Sequence, residues 1–318
     1  MKNKSSIFSK ICTILIFLVI PLIFTAFWVG FILVKGFSTS TNYDDVSGNS
    51  VIYINAKKNN ESGIFNEIRA INLTETVAYV DMWRSHWCTY YNDREFFFTP
   101  RINEVLQRIR SVGVRVVHIS LSVDHDLPMV KQRRAGFKAI EKGNLSVLER
   151  FHARAARYHA DYIPGFSDEC VYPGLERYGP TRDNRFTQSI AIAQDDVFVS
   201  NFKESAMSFV GLGAKTVIVM GQHTNMCLMA VFLYCREVNL DLIIIRDLVD
   251  SCWLYENQKN HVNTHTKGNE AVNSYFEKEF GSSILSYDLI RALKNLKSKK
   301  YLPKYQMFTK SAFLFKHI

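Results

Sequence analysis

The stretch TVIVMGQHTNMCLM, residues 216–229, decides how the rest of the chain is read. Its first five residues are apolar and largely β-branched, the composition of a buried strand. Gly221 ends the run, and from Thr224 a helical pattern carries Met226, Leu228, Met229, Phe232 and Leu233. Cys227 therefore falls in the first turn of a helix that follows the carboxyl end of a central strand. Ligands bind at that edge of open α/β sheets. A helix N-terminus also favours a thiolate through its dipole and N–H groups. A buried structural cysteine is the competing reading, and the elements on either side bear on the choice.

Downstream, residues 240–245 read as a fifth strand ending in Arg246-Asp247, and a helix begins near Lys267 after a loop holding His261 and His265. Upstream, a helix over residues 204–212 follows a third strand, DVFVS (196–200), which delivers Asn201. The first strand of the domain is the buried run at 76–80, ending in Asp81. An acid there is often only a helix cap or turn former. Asp81, however, is followed by Met-Trp-Arg-Ser-His-Trp-Cys, large and titratable side chains of the kind that wall a pocket. Thr99-Pro100 predicts a helix start with Thr as N-cap. Ile102, Val105, Leu106 and Ile109 form its apolar face, Gly113 closes it, and a second strand follows at 114–121. Strand–helix alternation predicts an α/β, doubly wound, mainly parallel sheet flanked by helices. Residues 124–161 are basic and helical in flavour, and 162–184 form a long loop carrying Cys170.

Before this domain lies an uncharged run of 24 residues at 11–34, ICTILIFLVIPLIFTAFWVGFILV, long enough to cross a bilayer. A cleaved signal peptide competes, but its apolar region is shorter and ends in small residues. The expectation is one transmembrane anchor, with residues 1–10 as a cytoplasmic tail. Lys2, Lys4 and Lys10 before the span place the bulk of the chain on the extracytoplasmic side. Residues 35–75 read as a linker and a small hairpin, 76–290 as the main domain, and 291–318 as a basic aromatic tail. The net charge of +9 is spread over the 318 residues. No zinc-finger spacing, P-loop or dinucleotide fingerprint occurs, so no nucleic-acid partner is expected. The tail alone is compatible with lipid or nucleic acid, and a solvated tail is the simpler reading.

Residues 76 to about 285 resemble the isochorismatase-like cysteine hydrolases, the fold of nicotinamidases, N-carbamoylsarcosine amidohydrolases and isochorismatases. VAYVDMW and VIVMGQHTNMC carry the resemblance, which is strongest to an exported subgroup reading DMW..HWC and G.HTNMC. It implies that Asp81 takes the proton of Cys227 and that the thiolate attacks a carbonyl or similar carbon. It implies an oxyanion site from the N–H groups of His223 and Cys227, with a cis peptide at Gln222–His223. Trp83, His86, Thr224 and His265 are the expected substrate-pocket residues. The family's lysine at the end of the third strand is Asn201 here. An asparagine can orient Asp81 or the substrate by hydrogen bonds but brings no positive charge. Lys203 lies two residues on, at a helix start.

The nicotinamidase metal set is not reproduced, since Asp124-His125-Asp126 gives Asp-x-Asp, so no metal and no cofactor are expected. Cys12 lies in the apolar span and Cys235 reads as core, while Cys252 either lines the site or packs. Cys88 and Cys170, in the two irregular loops, could pair in an oxidising compartment. Retention of Asp81 and Cys227 favours a membrane-anchored hydrolase of a small-molecule substrate. Asn201 favours a non-catalytic binding ectodomain. The oligomeric state is open, and a homo-oligomer is compatible with the sequence.

Overall fold

The computed structural model describes residues 50–83, 89–120, 130–143, 146, 148, 187, 189–252, 261–294 and 296. The apolar run at 11–34, the basic tail, His86, Cys88, Asp124–Asp126 and Cys170 lie outside them. No helix among the described residues is long and apolar enough to cross a membrane.

The strands are β1 (Val51–Asn60), β2 (Gly63–Asn72), β3 (Thr76–Asp81), β4 (Arg115–Ile119), β5 (Val197–Val199), β6 (Thr216–Gln222), β7 (Asp241–Asp250) and β8 (Gly281–Ile284). The helices are α1 (Thr89–Ser111), α2 (Val130–Gly143), α3 (Phe202–Gly211), α4 (Cys227–Glu237), α5 (His261–Glu279) and α6 (Ser286–Lys294). All eight strands form one sheet in the order β2-β1-β8-β7-β6-β3-β4-β5. From β8 to β5 every neighbouring pair is parallel, as the strand–helix alternation predicts. The chain runs outward from β3 through β4 to β5, then returns to β6 and runs outward the other way. The neighbours β3 and β6 therefore flank the topological switch point, where such sheets leave a crevice.

Alternation along the strands sorts the core into two layers. Ala78, Val80, Ile218, Met220 and Ile243 face α1 and α6. Val77, Tyr79, Val217, Val219 and Ile244 face the layer containing Phe209 of α3, Leu228 and Phe232 of α4, and Phe276 of α5. Asp81 follows Tyr79 by two residues, so its side chain belongs to the α4 layer.

Four features differ from the sequence expectation. The hairpin is not a separate preface, because β1 pairs antiparallel with β8 and extends the main sheet. Helix α1 begins at Thr89, ten residues before the expected start. Thr99 does not cap it; its hydroxyl donates back to the Glu95 carbonyl at 2.7 Å, which suits Thr to a helix interior beside Pro100. β7 does not stop at Ile245. Its pairing with β6 jumps from Val219↔Ile244 to Gly221↔Val249, an irregularity that carries the strand on to Asp250. Within the irregular stretch Arg246 pairs with buried Glu277, and Asp247 accepts from the N–H and hydroxyl of Ser286 at the start of α6. β8 and α6 close the fold and had no forecast.

Far from the switch point, α1 is tied to the β4–β5 edge by a buried polar cluster. Arg110 donates to both carboxyl oxygens of Asp196, and His118 Nε2 lies 2.9 Å from Asp196 Oδ2, with its ring stacked on Phe198. Burial would raise the Asp196 carboxyl, but the His118 hydrogen bond and the Arg110 guanidinium outweigh it and hold the group below its ordinary value. Burial pushes the His118 imidazole below its ordinary value, against the pull of Asp196. The folded protein thus resists a proton that the unfolded chain accepts below about pH 6.5. The stability from neutral His118 is present above that pH and is lost as pH falls through it. Denaturant midpoints measured at pH 7.5, 6.5 and 5.5 should fall with pH, and the fall should be shallower in His118→Gln. An unchanged slope in the variant contradicts this.

Candidate active site

Asp81 and Cys227 reach the same sheet edge by different routes. Asp81 is the last residue of β3 and pairs in register with Gly221 of β6. Gly221 has φ +116°, and a Cβ built there would lie 2.1 Å from the Asp81 carbonyl oxygen. Only glycine permits both the conformation and the approach. The Gln222–His223 peptide that follows is cis. The turn then closes on itself: the N–H groups of Met226 and Leu228 both donate to the His223 carbonyl. Helix α4 opens at Cys227 with Met226 as N-cap and no capping side chain. Cys227 is buried, with 8% of its surface exposed.

The Tyr79 phenol links the two groups electrostatically. It is held well above its ordinary value by burial first and Asp81 next, with a smaller push from Cys227, while a Ser205 hydrogen bond opposes them. Asp81 is itself fully buried, and among the described residues no hydrogen bond of ordinary geometry reaches either carboxyl oxygen. Burial pushes its carboxyl well above the usual carboxylate range, and the Trp83 indole opposes this only in part. No cation among the described residues forms an ion pair with Asp81.

Trp83, Gln222, His223 and Thr224 are all buried at this edge. His265 falls within α5, and His86 is outside the described residues. Asn201 is where the structure departs from expectation. It is exposed; its Oδ1 accepts from the Glu204 N–H at 2.9 Å and its Nδ2 lies 3.4 Å from Ser200 Oγ, so it caps α3 and does not bond Asp81. The reason is geometric. β5 lies two strands from β3, roughly 10 Å at the usual strand spacing, beyond the reach of an asparagine. Arg133 of α2, beside that strand end, is engaged by Glu204 at 2.7 Å and by Ser200 Oγ at 3.1 Å.

A set of supporting residues was not foreseen. Asp250, buried at the end of β7, is ion-paired to Arg94 of α1. Its carboxyl also accepts from Asn269 at 2.6 Å and Gln222 at 3.3 Å, and its carbonyl accepts from the Thr224 N–H at 2.8 Å. Asn225 holds the next stretch, donating to the Cys252 carbonyl and accepting its N–H at 2.8 Å. Cys252 is fully buried and held through its backbone by Asn225. The DLVD run after Ile245 was the available signal, masked by the charged pair at 246–247. No group of three potential metal ligands occurs among the described residues.

No family model matches the chain, and no curated protein does. Solved structures similar to it include isochorismatase-family proteins and cysteine hydrolases. A cysteine hydrolase from Pseudomonas syringae pv. phaseolicola 1448A is 15% identical, with 70% of this chain and 94% of that chain covered and a TM-score of 0.44. An isochorismatase from Pseudomonas putida KT2440 is 9% identical, with 68% and 90% covered and a TM-score of 0.41. An N-carbamoylsarcosine amidase from Thermoplasma acidophilum is 11% identical, with 67% and 96% covered and a TM-score of 0.35.

Removing Arg94 leaves a buried carboxylate under the turn without its counter-charge. Arg94→Ala should cost about 3 kcal/mol in denaturant unfolding, and the double variant Arg94→Met/Asp250→Asn should recover much of it. Equal loss in the single and double variants would show that packing, not charge, is at stake.

Proposed function

We propose that this protein is a cysteine hydrolase that cleaves a small C–N or related bond, with Cys227 as nucleophile and Asp81 as base. The observation that carries the reading is the convergence, at one switch point, of a buried carboxyl that forms no ion pair among the described residues and a thiol at a helix start without a capping side chain. In the proposed sequence Asp81 takes the Cys227 proton, and the thiolate bonds to the carbonyl carbon. The resulting oxyanion is held by the N–H groups of His223 and Cys227. Collapse breaks the C–N bond as Asp81 returns its proton to the leaving amine. Water then attacks the thioester, losing a proton to Asp81, and the thiolate leaves and is reprotonated. The product is a carboxylic acid, with the enzyme unchanged. Trp83 and Thr224 would wall the substrate site. The anchor at 11–34 would hold the domain on the extracytoplasmic side, as the lysines before it suggest.

A second reading, a binding ectodomain, is favoured by one observation: Asn201 caps a helix and no lysine takes the family position. A screen of amides, ureides and esters separates the two. The hydrolase reading expects turnover that falls at least ~1000-fold in Cys227→Ser and in Asp81→Asn. Because burial raises the Asp81 pKa, the base forms at a higher pH than an ordinary carboxylate does. Accordingly the acid-side fall of kcat/KM should lie well above the pH of about 4 at which an ordinary carboxylate titrates. No turnover, with Cys227 no more reactive to iodoacetamide than Cys252, would favour the binding module.

A further inference from the structure

β2 is the end strand of the sheet, with β1 on one side and an outer edge on the other. Such edges are commonly shortened, bulged or broken by proline, because otherwise they pair with another chain. β2 has none of these devices. It runs for ten residues, GIFNEIRAIN, where a usual strand has about five or six. It holds no proline, and its ladder with β1 continues without a bulge from Val51↔Asn72 to Asn60↔Gly63. The two-residue turn at Glu61 and Ser62 makes Asn60 and Gly63 a hydrogen-bonded pair, and bonded pairs alternate along an antiparallel ladder. Ile64, Asn66, Ile68 and Ala70 therefore turn their N–H and C=O groups away from β1, toward the outer edge. These four residues are exposed, Ile64 by 52% and Ile68 by 66%, and Tyr53 of β1 beside them by 53%.

The charges of β2 are Glu67 and Arg69, one on each side of Ile68. A two-fold axis through Ile68 sets Glu67 opposite the partner's Arg69, and Arg69 opposite the partner's Glu67. The backbone accepts the same register, because Ile68 faces outward and can exchange both hydrogen bonds with the partner's Ile68. Moving the axis to Asn66 or Ala70 leaves neither charge opposite its complement. Arg69 is held in its own chain by Asp241 and by Ser282 Oγ, which fixes the position of the positive charge.

We propose that β2 is a homodimer interface: two copies pair antiparallel through β2 about a two-fold axis at Ile68, joining two eight-stranded sheets into one. The interface is isologous, with each half supplying the same strand. The two Ile68 side chains meet at the axis on the exposed face, flanked by Tyr53 of each copy, while the opposite charges pair on the other face.

Cysteine substitutions in the full-length chain, oxidised mildly in detergent, test both the contact and its register. Ile68→Cys should link two copies, since a bonded antiparallel pair has Cα atoms about 5.5 Å apart, within the span of about 4.4–6.8 Å that a disulfide bridges. Asn66→Cys or Ala70→Cys alone should give no more linked dimer than the unmodified chain, because each lies roughly 13 Å from its own copy. The two variants co-expressed should link to each other. Glu67→Lys, which sets like charges opposite at two places, should weaken dimerisation about tenfold in sedimentation. Absence of a link in Ile68→Cys overturns the proposal. So does equal linking in the single variants and the co-expressed pair, which would mean association through another part of the chain. A disulfide from Ile68→Cys to a cysteine of the same chain would assign the edge to a segment of that chain and overturn the proposal too.

Discussion

The site depends on one constraint: a carboxyl group, Asp81, fully buried at a strand end with no ion pair to a cation among the described residues. A buried carboxylate without compensation is among the costlier features a fold can carry, and here burial pushes the group well above the usual carboxylate range. Everything that surrounds Asp81 follows from its being the last residue of β3 at the switch point of the sheet. The parallel pairing with β6 places Gly221 against its backbone, and only a glycine can stand that close. The same pairing sends the chain through the cis peptide and round to Cys227 without a capping side chain that would shield the helix start.

The turn itself is held from behind. Asp250 receives Arg94 from α1, Gln222 from the turn and Asn269 from α5, so three elements converge on one buried acid. This acid contrasts with Asp81: one is paired and hydrogen-bonded and fixes geometry, while the other forms no ion pair among the described residues and is, on the proposed reading, the base. The extended reach of β7 makes this possible, because the irregular stretch at Arg246 and Asp247 lets the strand re-enter the ladder at Val249 and bring Asp250 to the site.

Much of the fold was legible because its parallel strands are continuous apolar runs, and Asp81 and Cys227 stand where those runs end. The shorter or interrupted elements were not legible from periodicity. β8 is four residues of small and polar type, and a charged pair conceals the second half of β7. Arg94 and Asp250 were missed because neither has a local signature; their partnership exists only once α1 is packed against the sheet. Asn201 was placed at the right strand end but given the wrong task. Its cue was present, since Asn201 and Glu204 stand three apart as an N-cap and N3 pair do, and the position of β5 at the sheet edge was not readable from local sequence.

The most direct test of the account is the ionisation of Asp81 itself. Infrared difference spectra of the unmodified protein and Asp81→Asn, recorded in D2O over a pH series, isolate the C=O stretch of that one carboxyl. The account expects a protonated-acid band that persists well above the pH of about 4 at which an ordinary carboxylate ionises, disappears as pH is raised further, and is absent from the variant. An Asp81 whose acid band is lost at that ordinary pH would contradict it.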